Sequence, residues 1–175
     1  MAFNFIELDK TNLPKTKGMR VDGHRFYNIN GTNYPSVTTV LGIRKTEQLK
    51  EWREKIGEKV ANWEMGRAAR RGKSFHTLVE QYLKGETPSI RDVLPLGLFK
   101  LMKPYIDQID NIHLLEAIMY SPKLTIAGQV DCVAEYNGKL SVIDFKTANK
   151  ERQESWIENY FLQTTAYAHM YEETF

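Results

Sequence analysis

Asp131, Asp144 and Lys146 are the residues of this chain whose types and spacing can do chemistry. They lie in GQVDCVAEYNGKLSVIDFKT, residues 128–147, which reads as two β-strands joined by Asn137-Gly138. Asn-Gly favours a two-residue hairpin loop because both central residues of that turn need positive φ. Such a loop pairs Tyr136 with Lys139 and, counted outward, Asp131 with Asp144. Opposed side chains share a face, with Cβ atoms about 4.5–5.5 Å apart. Lys146 lies two residues beyond Asp144 and points to that face, because the strand period is two. Two carboxylates and one amine then meet at one spot. The carboxylates repel each other unless a cation lies between them, and a hard divalent ion suits oxygen ligands. The spacing predicts a site for a hard divalent cation with a basic side chain beside it.

The elements that must position these residues are readable from periodicity. HRFYNINGTNY, residues 24–34, reads as a small hairpin turning near Asn30-Gly31, and Ser36 after Pro35 suits a helix N-cap. A helical pattern from about Thr46 carries Leu49, Trp52 and Ile56 on one stripe and breaks at Gly57. A longer one runs from Glu58 to Leu83 and closes at Gly85. Pro88 and Pro95 bracket a connection, and Leu98 to Ile109 is expected to be a helix that Pro104 kinks. From Ile112 the period changes to that of a three-stranded meander, with Ser121-Pro122 and Asn137-Gly138 in its turns. A last helix is expected from about Ser155 to Glu173, with Tyr160, Gln163 and Tyr167 along one side. Helices, then antiparallel strands, then a helix define an α+β class.

A chain of 175 residues, 42% hydrophobic and 26% charged, suits one soluble domain over 1–175, with a hairpin and helical region at 24–85 and a catalytic sheet and helix at 112–175. It has no apolar run of membrane-span length and no signal-peptide stretch at its start, so no membrane is expected and the cytoplasm is the default location. The single cysteine, Cys132, cannot form an internal disulfide or hold an iron–sulfur cluster, and is expected to be a buried structural thiol. Residues 44–73 hold ten Lys/Arg against five Glu in a chain of net charge +2. That local excess suits phosphate contacts by Arg67, Arg70, Arg71 and Lys73, and equally a solvated helix face laced with ion pairs.

Five motifs in order resemble the PD-(D/E)XK nuclease superfamily in its RecB-type branch, which includes genome-maintenance and phage-encoded exonucleases. They are YPSVTTVLG (Tyr34 to Gly42), RGKSFH (Gly72 and His76), GQVD (Gly128 to Asp131), IDFKT (Asp144 and Lys146) and QTTAY (Gln163 and Tyr167). The resemblance spans roughly residues 31–171. It implies a restriction-endonuclease-like core, an antiparallel three-strand meander flanked by helices.

It also implies a metal-dependent deoxyribonuclease, an exonuclease acting on single-stranded DNA ends, with a structure-specific endonuclease as the neighbouring alternative. A phage-encoded member would work in the bacterial host cytoplasm. Asp131 and Asp144 would bind the ion, joined by the backbone carbonyl of Phe145. Lys146 would orient the attacking water and help deprotonate it, while Gln163 and Tyr167 either steer Lys146 and the phosphate or, in turn, face solvent and pack against the sheet. His76 is either a hydrogen-bonded core residue or a ligand, Glu116 a ligand or a support for one, and Glu80 a support for His76 or an ordinary helix glutamate. Trp52 and Trp63 are expected in the core rather than stacked on bases, and His24, His113 and His169 match no motif. The family normally places a further strand after the helix that here reaches Phe175. On that ground an exposed sheet edge and self-association are expected, and a catalytically weak DNA-binding accessory protein is the rival reading.

Overall fold

A computed structural model describes residues 3–149 and 154–175, with the side chains of 154–156 excepted. Asn137 and Gly138 both take positive φ, 52° and 75°, and close the hairpin between β5 (Ile126–Tyr136) and β6 (Lys139–Ile143). Tyr136 pairs with Lys139 and Cys132 with Ile143, the expected register. The ladder ends there, one rung short of Asp131 and Asp144, because β6 stops at Ile143. On its other edge β5 pairs antiparallel with β4 (Ile109–Ser121), giving the order β4-β5-β6. A short stretch near the N-terminus runs parallel to β4, with Ile6 N donating to Ile112 O at 2.9 Å and Ile112 N to Asn4 O at 2.8 Å.

Helices cover both faces of this sheet. On one face α3 (Glu58–Leu83) and α4 (Val93–Ile106) bury Phe75, Leu78, Val79, Leu83, Phe99 and Ile106 against Ile112, Cys132 and Ala134. On the other, α5 (Glu154–Thr174) buries Tyr167 and Met170 against Leu114, Met119, Val130 and Val133. Each such apolar side chain contributes about 1.5–3 kcal/mol on leaving water. Helix α4 begins five residues earlier than the sequence suggests. Pro95 is not a loop residue: it sits in the first turn, where a missing N–H leaves no bond unmade. Among the described residues no helix is long and apolar enough to cross a membrane. The antiparallel meander with flanking helices is the expected α+β architecture.

The N-terminal hairpin is in fact a three-stranded sheet of β1 (Gly18–Val21), β2 (His24–Ile29) and β3 (Thr32–Pro35). Asp22-Gly23, a hairpin signal of the same kind as Asn30-Gly31, joins β1, the strand that the two-strand expectation omits. Ser36 caps α1 (Val37–Ile43) by accepting from Thr39 N at 3.0 Å, and bridges to Ala127 of β5. The YPSVT motif is thus a joint between the hairpin sheet and the strand that carries Asp131. Gly57, at φ 84°, separates α2 (Thr46–Ile56) from α3. The apolar stripe of α2 is not a core stripe: no residue of that helix is buried, Leu49 is exposed, and Trp52 and Ile56 are half-buried, so Trp52 is not the core residue expected. Instead Arg53 holds α2 to α3 through Glu58, Asn62 and the Met65 sulfur.

The two motif glycines differ in kind. A Cβ on Gly128 would lie 2.7 Å from Tyr167 Cε1 and 2.8 Å from its hydroxyl, so the buried ring needs that glycine. A Cβ on Gly72 would meet only Thr147 Oγ1, at an ordinary 3.8 Å. Gly128→Ala should therefore destabilise by about 1–3 kcal/mol through overpacking. Gly72→Ala should be neutral or stabilising by about 0.5–1 kcal/mol, as in any helix interior. Urea unfolding midpoints of the two variants check this; equal effects would contradict it.

Candidate metal centre and active site

Strict alternation would put residues three apart on opposite faces of a strand. Yet Val130 and Val133 of β5 both join the cluster on the α5 side, as do Leu114 and Ala117 of β4. Both strands change facing at one place. There Glu116 takes φ 50°, a left-handed conformation uncommon for a side chain of its size. The pairs Leu115–Cys132 and Ala117–Val130 flank it, so Glu116 stands opposite Asp131 without a ladder pairing of its own. This local irregularity re-aims both carboxylates.

Asp131 is buried. Its Oδ2 accepts from Phe145 N at 2.7 Å and its Oδ1 lies 3.5 Å from His76 Nδ1. Glu116 Oε1 is 3.9 Å from the same ring nitrogen, and Gln129 Nε2 donates to Glu116 Oε2 at 2.6 Å. His76 Nε2 donates to the Phe145 carbonyl at 2.7 Å. One ligand atom each of His76, Glu116 and Asp131 fall within 4.8 Å of one another. Burial disfavours charge on the His76 ring, but hydrogen bonds to Asp131 and Glu116 outweigh it and push its pKa up to about 10. The imidazolium therefore neutralises two carboxylates that would otherwise face each other. Two carboxylates, an imidazole and a nearby backbone carbonyl fit a hard divalent cation.

Asp144 and Lys146 form a second group. They are ion-paired with each other, and Gln163 Nε2 donates to Asp144 Oδ1 at 3.0 Å. Burial raises the Asp144 pKa; Lys146 opposes this, and the charge of Asp131 raises it further. Asp144 thus feels Asp131 without joining the group of three, where the sequence suggests a shared pair. Tyr167, expected to steer Lys146, is buried against Gly128, and burial pushes its hydroxyl pKa upward. Tyr160, read only as a helix-face residue, has the Lys146 ammonium 5.5 Å from its ring centroid. Its spacing from Gln163 and Tyr167, three and seven residues, is the signal that could have found it. Gln129 had no such signal.

The basic stretch divides as well. Arg67, Arg70 and Lys73 are exposed at successive three-residue steps on α3. Arg67 pairs with Glu64 at 3.0 Å and lies 4.8 Å over the ring of Trp63, which is 56% exposed rather than in the core. Arg71 is buried, with Nε donating to Thr147 Oγ1 at 3.4 Å and Nη1 to Asn149. It ties α3 to the segment after Lys146. Glu80 pairs with Lys84 at 2.7 Å, the ordinary helix role. Cys132 is buried, and burial followed by the charge of Asp131 raises its thiol pKa to about 12.

A sheet strand, its neighbour and two helices thus converge on a group of three side chains that could hold a cation, beside a lysine–aspartate pair. The sequence model of the PD-(D/E)XK nuclease superfamily matches residues 43–175, and the chain belongs to that superfamily. It is similar to mitochondrial genome maintenance exonuclease 1 of Homo sapiens, 33% identical over 147 residues, 76% of this chain and 42% of the relative. The Mus musculus protein of that name is 31% identical over 128 residues, covering 67% of this chain and 38% of the relative. The Xenopus tropicalis protein is 31% identical over 137 residues, covering 70% and 38%. The chain spans about two fifths of the length of these curated relatives.

The His76 imidazolium carries a pH prediction. Its folded pKa lies above the unfolded value of about 6.5. The stability it contributes is therefore fully present below about 6.5 and lost as pH rises through about 10. With divalent ions chelated, the difference in unfolding free energy between the wild type and His76→Gln should shrink across that window. A difference independent of pH would show that His76 does not carry the compensating charge.

Proposed function

We propose that the protein is a divalent-metal-dependent deoxyribonuclease that hydrolyses phosphodiester bonds, with Mg²⁺ or Mn²⁺ as the ion and single-stranded DNA ends as the substrate. The observation that carries the reading is the convergence of His76, Glu116 and Asp131 within 4.8 Å beside the Lys146–Asp144 pair. Membership of the nuclease superfamily and the exonuclease names of the relatives support it. His76, Glu116 and Asp131 would hold the ion, with the Phe145 carbonyl and Asp144 beside them. A bound ion would polarise the phosphate and ease ionisation of water.

This chain's own residues would do the rest. The water oxygen bonds to phosphorus while the bond from phosphorus to the leaving sugar oxygen breaks. Lys146 orients that water and helps to deprotonate it, and the departing sugar oxygen takes a proton from solvent. Asp144 anchors the amine, and Gln163 anchors Asp144. Arg67, Arg70 and Lys73 are the exposed cations suited to hold phosphates on the approach.

Asp144→Ala should lose cleavage and weaken metal binding together, whereas Lys146→Ala should lose cleavage and keep most DNA binding. Cleavage by Lys146→Ala near the wild-type rate would contradict the mechanism. Removing Arg67, Arg70 or Lys73 should flatten the salt dependence of DNA binding, by about 0.7 in the log–log slope for each phosphate no longer neutralised. Arg71→Ala should lower stability instead, because that side chain is buried. An enzyme that needs a free end should degrade linear single strands and spare a closed circle of the same sequence. Equal initial rates on the two would make it an endonuclease.

A further inference from the structure

Between β6 and α5 lies a groove of about 470 Å³ that none of the three cation-binding side chains lines. Val142, Ile143, Tyr160 and Phe161 line it together with Asp144 and Lys146. We propose that this groove is a nucleobase subsite: it takes the base of the nucleotide whose phosphate lies at Lys146, with Phe161 as its stacking face. The inference rests on the nuclease reading and adds a contact to the strand that this reading does not require.

The strand has a repeating unit with two ends, an anionic phosphate and a flat aromatic heterocycle joined by a sugar. The groove offers the matching pair in its lining, the Lys146 ammonium and the apolar and aromatic side chains of Val142, Ile143, Tyr160 and Phe161. Phe161 is 60% exposed and lines the same groove as that lysine. Stacking of a base on an aromatic side chain is among the larger contributions to single-strand binding, and it tolerates any sequence because every base has a π face. Tyr160 touches both parts, since it walls the groove and lies under the Lys146 ammonium. Helix α5 also carries Gln163, which holds Asp144, so the element that grips the base is the one that sets the catalytic pair.

The test uses Phe161→Ala, an exposed position whose truncation leaves the core untouched, and Phe161→Trp as the conservative variant. The probe is a short single strand carrying 2-aminopurine at one position at a time, bound with divalent ions chelated so that nothing is cleaved. In the wild type, fluorescence should be quenched at one position of the strand. Phe161→Ala should lose that quenching and bind about tenfold more weakly, and Phe161→Trp should restore both. An abasic residue at the same position should weaken the wild type by a similar factor and leave Phe161→Ala nearly unaffected. Equal weakening of both proteins by the abasic residue, or unchanged binding by Phe161→Ala, overturns the subsite. A dimer that Phe161→Ala converts to a monomer, with unchanged strand binding, would assign the groove to a second copy of the chain and also overturn it. Cleavage with Mg²⁺ or Mn²⁺ is measured separately. The quenching pattern without any cleavage would leave the subsite standing and remove the nuclease reading, and cleavage without the coupling would do the reverse.

Discussion

Two carboxylates on neighbouring strands cannot face each other across a half-dry gap without a positive charge between them. Glu116 and Asp131 are in that position, and the surrounding structure answers to it. The His76 ring supplies the charge, held by two carboxylates on one nitrogen and the Phe145 carbonyl on the other. The backbone N–H of Phe145 takes the remaining oxygen of Asp131. The left-handed conformation of Glu116 is a local cost that persists because pairing on either side of it determines the strand. A site arranged this way is poised for a cation, because the imidazolium already occupies the electrostatic role that a metal ion would take.

Two helices hold this arrangement from opposite faces of the sheet. Helix α3 brings His76 from one side, and Arg71 of the same helix grips Thr147 and Asn149, in the segment that follows Lys146. Helix α5 acts from the other side through a single stripe. Tyr167 packs on Gly128, Gln163 binds Asp144, and Tyr160 lies under Lys146. The glycine of the GQVD segment and the tyrosine of the QTTAY segment are therefore one contact written in two places. A side chain at Gly128 would push on the ring that sets the depth of α5, and through α5 on the Asp144–Lys146 pair.

Much of this was legible in the sequence because it depends on local rules. Asn137-Gly138 fixes the β5–β6 register through turn geometry alone, and Gly57 and Gly85 mark helix ends through positive φ. Asp131, Asp144, Lys146 and His76 stand out by motif and spacing. What was not legible depends on tertiary context. No sequence rule says that Glu116 turns left-handed, so the reversal of facing in β4 and β5 was invisible. With it went the separation of Asp144 from the group of three. Arg71 and Arg70 look alike in the sequence, and only the position of the 145–149 segment over α3 makes one structural and leaves the other exposed. Trp63 has a core residue's composition but sits on the outer face of α3, and its partner there is Arg67.

In the proposed mechanism one hard cation is held jointly by His76, Glu116 and Asp131. Crystals grown with Mn²⁺ and measured at the manganese absorption edge test it most directly. One anomalous peak is expected about 2.0–2.6 Å from an oxygen of Asp131, an oxygen of Glu116 and a ring nitrogen of His76. A peak bound by Asp144 with Glu116 turned away, or no peak near His76 at saturating Mn²⁺, would contradict it.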